Sequence, residues 1–120
     1  MLPVMHTGHI TKGLKPSWEP LTTLVGRDVV PCFMWMFALK LDDGAEVHAY
    51  KCIATRQYVH LASDGRAFAL RGKDGYEAVT SREAVEQAFN GWEDAAPRPR
   101  NADAVRALLE RHRSAPAEAA

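Results

Sequence analysis

The sequence predicts an α+β fold: an antiparallel β-meander of four to five strands, with a short N-terminal helix before it and one or two C-terminal helices after it. Three observations predict it. Apolar residues alternate at Phe33, Trp35, Phe37 and Leu39, the period-two pattern of a strand with one buried face. Glycine-bearing turn signals follow at Asp42-Asp43-Gly44 and Asp64-Gly65, each between segments of β character. Beyond them Thr80-Ser81-Arg82-Glu83 has the form of a helix capping box, and Val85, Ala88, Phe89 and Trp92 then recur at helical spacing.

Taken in order, residues 1–16 carry scattered apolar side chains between Pro3, Gly8, Gly13 and Pro16, which predicts an irregular arm with one short edge strand near Val4 or Ile10. A core domain follows over 17–94. Ser17 is placed to cap a short helix reaching Val25, with Pro20 in its first turn and Gly26 as its left-handed stop. Strands are expected over 29–41 and 45–54. A three-residue loop with Gly44 left-handed pairs Lys40 with Glu46, an opposite-charge pair at the hairpin mouth. It also puts Phe33, Trp35, Phe37 and Leu39 on the face of Val47, Ala49 and Ile53.

A third strand over 57–62 returns through Ala54-Thr55-Arg56. A fourth over 66–71 follows Asp64-Gly65, read as a type I′ turn that pairs Leu61 with Phe68 and Val59 with Leu70. Residues 76–79 add a fifth. The first C-terminal helix is expected to reach Trp92. A Pro/Arg linker over 95–101 leads to a second helix over 102–113, with a narrow apolar stripe of Val105, Leu108 and Leu109. Residues 114–120 are expected to form a mobile tail.

Composition bounds the function classes. A chain of 120 residues with 47% hydrophobic and 25% charged residues is ordinary for a globular protein. Fifteen basic residues balance fifteen acidic ones, so the chain as a whole has no long-range attraction for a polyanion. Locally, 51–82 holds six basic and three acidic residues, and 83–110 holds three basic and six acidic. That pattern suits a sheet and a helix with complementary solvated faces. Cys32 and Cys52 both lie in apolar runs, as free thiols of a reducing compartment do, and with no leader pattern the expected location is cytoplasmic. The longest apolar run, 29–39, is too short to span a bilayer and contains Pro31, so no membrane association is expected.

Because strand side chains alternate, turning Phe33, Trp35 and Phe37 inward turns another set outward: Cys32, Met34, Met36, Ala38, Glu46, His48, Tyr50, Cys52, Tyr58, His60, Ala69 and Arg71. In this register Tyr50 lies opposite His60, and Cys52 opposite Tyr58. A solvated face would not carry so many methionines and tyrosines, and a dry core would not carry two histidines and an arginine. The face therefore reads as half-buried. Lys51 conflicts with it, falling on the core face, where it must snorkel to the rim unless a bulge has shifted a strand.

The expected function is a small, non-catalytic interaction or regulatory module. It would bind a protein partner, or self-associate, through Met34, Met36, His48, Tyr50, Tyr58, His60 and Arg71, residue types suited to adaptable recognition. The alternative is a small enzyme or small-molecule-binding domain using His48, Tyr50, Cys52 and His60, in which a tyrosine or thiol stands beside a base. A second alternative is a nucleic-acid-binding accessory protein stacking bases on Tyr50 and Tyr58 beside Arg56, Arg71 and Lys73. No cofactor is expected, and no metal site either. His48 and Cys52 on one strand stand about 13 Å apart, too far to share an ion. His6-Thr7-Gly8-His9 has no third ligand at recognisable spacing.

Overall fold

The computed structural model describes residues 15–71, 75–96 and 98–114 with their side chains, and residues 4–10 by their backbone path. The fold is α+β. Five consecutive strands form an antiparallel meander: β2 (Phe33–Leu41), β3 (Glu46–Cys52), β4 (Tyr58–Ala62), β5 (Ala67–Arg71) and β6 (Gly75–Val79). The expected N-terminal edge strand is β1 (Val4–Ile10), and it is not an edge. It pairs antiparallel with both β2 and β6 and closes the sheet into a six-stranded barrel. Closure removes the two unpaired strand edges that an open meander exposes.

Three helices lie along one outer side of this barrel. In α1 (Glu19–Val25), Trp18 rather than Ser17 occupies the cap position, no side chain caps the amides, and Gly26 at φ 85° ends the helix. For α2 (Ser81–Ala88), Thr80 Oγ1 accepts from the Glu83 N–H at 3.1 Å, as the capping box predicts. The helix stops four residues short of Trp92. Asn90-Gly91 breaks it, with Gly91 left-handed at φ 80°, and Trp92–Asp94 forms a separate 3₁₀ turn. Phe89 and Trp92 nevertheless remain buried, at 2% and 4% exposure. The last helix, α3, spans Ala102–Ser114.

Alternation then divides the apolar residues into two layers. Under the helices, Phe33, Tyr50, Cys52, Val59, Leu61 and Ala67 pack with Leu21 and Val25 of α1, Val85 and Ala88 of α2, and Val105, Leu108 and Leu109 of α3. Inside the barrel lie Leu39, Leu41, Val47, Ala62, Phe68 and Tyr76.

The expected register fails at three places, each by one residue, and a one-residue slip reverses a strand's faces. The first hairpin forms as expected, with Leu41 N–H donating to Ala45 O and Lys40 opposite Glu46. A β-bulge at Met36 then pairs Trp35 with Tyr50 and Phe33 with Cys52. The β3–β4 loop holds one more residue than expected. Cys52 N–H bonds Gln57 O, Arg56 takes φ 62°, and Val59 rather than His60 lies opposite Tyr50. At Asp64-Gly65 only glycine has a positive φ, whereas a type I′ turn needs two. The loop is a three-residue one, and it pairs Leu61 with Ala67 and His60 with Phe68.

Candidate functional site

The single half-buried face expected from the sequence does not exist. Trp35 and His48 lie on the same side of the meander, and Tyr50 and His60 lie on opposite sides. The seven expected site residues are thereby separated. His48 and Tyr50 face the helices at 1% and 0% exposure. Arg71 stands on the outer face at the far end of β5, ion-paired with Glu77 at 3.0 Å. Met36 occupies the bulge and is half-buried. Met34, Tyr58 and His60 share the inner side of the barrel at one end.

On the helix side, His48 is fully engaged. The Trp35 indole N–H donates to Nδ1 at 2.9 Å, and Nε2 meets Glu46 Oε1 at 2.8 Å. This arrangement places the ring proton on Nε2, where Glu46 accepts it. No nitrogen is left for a substrate. Trp35→Phe keeps an aromatic ring but removes the indole N–H and orphans Nδ1, and should lower the unfolding free energy by about 1–3 kcal/mol in urea titrations. Next along the strand, the Tyr50 hydroxyl donates to Ser17 O. Cys52 is 0% exposed, and Cys32 is pushed up to about 11 by burial and then by Cys52. A thiol so protonated is a poor nucleophile. The quartet His48, Tyr50, Cys52 and His60 therefore does not converge, since its first three members are sealed and the fourth faces the other way.

The stacking platform is broken up in the same way. Tyr50 is buried, Tyr58 and Arg56 border one opening, and Arg71 lies on the outer face. Lys73, and the side chains of His6 and His9, lie outside the described residues. Among the described residues no group of three or more His, Cys, Asp or Glu stands close enough to hold a metal ion, and no helix is long and apolar enough to cross a membrane. Lys51 resolves its conflict at the barrel end, between Met34 and Tyr58, with Nζ 5.9 Å from the Tyr58 ring centre.

The opening itself follows from where the two strands stop pairing. The β4–β5 ladder has only two pairs, ending at His60–Phe68, although both strands continue. Beyond that point β5 stays with β6, pairing Ala69 with Glu77 and Leu70 with Tyr76. The splay leaves a cleft of about 340 Å³ bounded by Phe37, Tyr58, His60, Phe68 and Leu70, with Arg56, Gln57 and Gln87 at its margin. Its wall is aromatic. Tyr58 stacks on His60 at 5.9 Å and 16°, and Phe37 leans on His60 at 6.4 Å. At the base His60 Nδ1 bonds the Tyr76 hydroxyl at 2.7 Å, and among the described residues Nε2 has no partner. Burial lowers the His60 pKa to about 4, so the imidazole is neutral, and burial raises the Tyr76 phenol well above its ordinary range.

No protein-family model matches the chain, and neither does any curated protein or solved structure. Phe37, Phe68 and Leu70 were missed as cleft residues because the expected register placed them inside a closed core. The signal available in the sequence was Leu70, an apolar residue between Ala69 and Arg71 near a strand end.

Proposed function

We propose that the protein is a small, non-catalytic binding module that receives an aromatic side chain of a protein partner in the β4–β5 cleft. The observation that carries this reading is the end of the β4–β5 ladder at His60–Phe68, which opens an aromatic-walled cleft with one imidazole nitrogen at its base. Met34 at 44% and Leu70 at 46% exposure supply apolar contact at the same barrel end, more than single exposed residues usually offer together. A neutral His60 can donate or accept through Nε2, according to which group holds the proton shared with Tyr76, and so suits a phenol or indole better than a charged group. A base of such low pKa is weak near neutrality, which supports recognition over proton transfer.

The test is an NMR titration of the whole chain with N-acetyl-tyrosinamide and, in parallel, N-acetyl-lysinamide. The tyrosine probe should shift the amides of Tyr58, His60, Phe68 and Leu70 saturably, and the lysine probe should not. Leu70→Asp should abolish the response while leaving the melting temperature unchanged, since the side chain is half exposed. Equal responses to both probes, or shifts confined to other residues, would remove the cleft as the binding site.

A further inference from the structure

The linker between α2 and α3 reads Pro97-Arg98-Pro99-Arg100, and the β4–β5 cleft makes no use of it. Arg98, Pro99 and Arg100 form one wall of a second, larger cavity of about 630 Å³. The opposite wall and floor come from Pro31, Cys32, Ile53, Ala54 and Asn101. Among the described residues that lining contains two arginines and no acidic residue. Ile53, 46% exposed on the β3–β4 loop, supplies an apolar surface next to them.

Both cations are available. Four other arginines are held by carboxylates: Arg66, Arg71, Arg82 and Arg106. By contrast, among the described residues Arg98 donates only to the Glu93 carbonyl, at 2.9 Å, and Arg100 has no acidic partner. A guanidinium bonded through Nε to a carbonyl keeps its terminal N–H groups for a second acceptor. Proline fixes φ on its own residue and restricts the residue before it, so Pro99 limits the freedom of Arg98 and of the linker between the two cations. Less backbone entropy then remains to be lost when an anion binds. The floor is equally well held. Cys32 Sγ donates to Asn101 Oδ1 at 3.2 Å, and the Asn101 side-chain amide donates to Asp28 O. This anchors the start of α3 to the loop before β2.

From these observations we propose that this cavity binds a small carboxylate carrying a short apolar chain, its carboxylate on Arg98 and Arg100 and its chain over Ile53, Ala54 and Pro31. The planar fork of arginine matches a carboxylate in two-point geometry, and the volume lies in the range that holds a small organic ligand. The site is separate from the aromatic cleft and does not depend on it.

Ile53 and Ala54 provide built-in reporters, because both line the cavity. Their backbone amide signals, followed by NMR on the intact chain, should shift saturably with hexanoate. Acetate, which has no tail, and 1-hexanol, which has no charge, should have little effect at the same concentration. A short peptide ending in leucine tests the second source of the same chemistry. A response to the peptide and not to hexanoate would move the ligand from a free acid to a chain terminus and overturn the free-acid assignment. The double variant Arg98→Gln, Arg100→Gln should weaken hexanoate binding by about tenfold or more, as loss of charge-assisted hydrogen bonds implies. Arg106→Gln, which removes a cation paired with Asp103, should bind as the parent does. The variants alter exposed side chains, and an unchanged melting temperature shows that the fold is intact. An equal response to hexanol, or an unaltered affinity in the double variant, would overturn the proposal.

Discussion

Tyr50→Ala should lower the unfolding free energy by about 3–5 kcal/mol, the range for deleting a large buried aromatic side chain. Tyr50 is 0% exposed, tilted against Trp18 at 5.7 Å and stacked with His48 at 6.4 Å. Its hydroxyl is the hydrogen-bond donor to Ser17 O, and its ring joins the layer that holds Leu21, Val85 and Leu108. The Ala variant therefore empties a cavity and releases the segment leading into α1. Tyr50→Phe separates the two contributions. It keeps the ring and loses one hydrogen bond, and should cost about 1 kcal/mol. Urea titration followed by tryptophan fluorescence reads both. If Tyr50→Ala left stability nearly unchanged, Tyr50 would be a surface residue and the assignment of the helix-facing side would fail.

The second large effect is pH dependence from His60. Its folded pKa, about 4, lies below the ordinary value of 6.5, with burial as the cause. Between those values the unfolded chain binds a proton that the folded chain refuses, so stability rises with pH across this window. The contribution of the neutral imidazole is complete above pH 6.5 and is lost as pH falls toward 4. By linkage the loss between pH 7.5 and pH 5 is about 2 kcal/mol. The groups around the ring, Tyr58, Tyr76, Phe37 and Phe68, supply no carboxylate that would hold the charged form. His60→Gln should remove this component of the pH dependence, although it weakens the bond to Tyr76 at every pH. The quantity to measure is the difference between parent and variant at pH 7.5 and at pH 5. A parent and variant with the same pH slope would show that His60 titrates normally in the folded state.

The contrast between these two residues separates what local chemistry dictates from what packing decides. Element types were legible because they depend on local chemistry. The alternation around Trp35, the glycine in Asp42-Asp43-Gly44, the cap at Thr80 and the stripe of Val105, Leu108 and Leu109 each act over a few residues. Strand faces were not legible, because a face depends on counting residues without error through every bulge and loop. The bulge at Met36, the extra residue before Gln57 and the three-residue loop at Asp64-Gly65 each shift the count by one. No residue type announces the first two. Arg56 in the left-handed region has no glycine to mark it. Tyr50 and His60, expected side by side, thus ended in different layers.

The sequence by itself determined an antiparallel meander flanked by helices, since turn and helix preferences and apolar periodicity are properties of short segments. Only the tertiary structure decided that β1 closes the sheet, that α1, α2 and α3 cover Tyr50 and Cys52, and that β4 and β5 part company at Phe68. Those outcomes depend on which distant strands pair and which layer each side chain enters. They are decided by burying all the apolar surface at once, and no local stretch of residues contains that information.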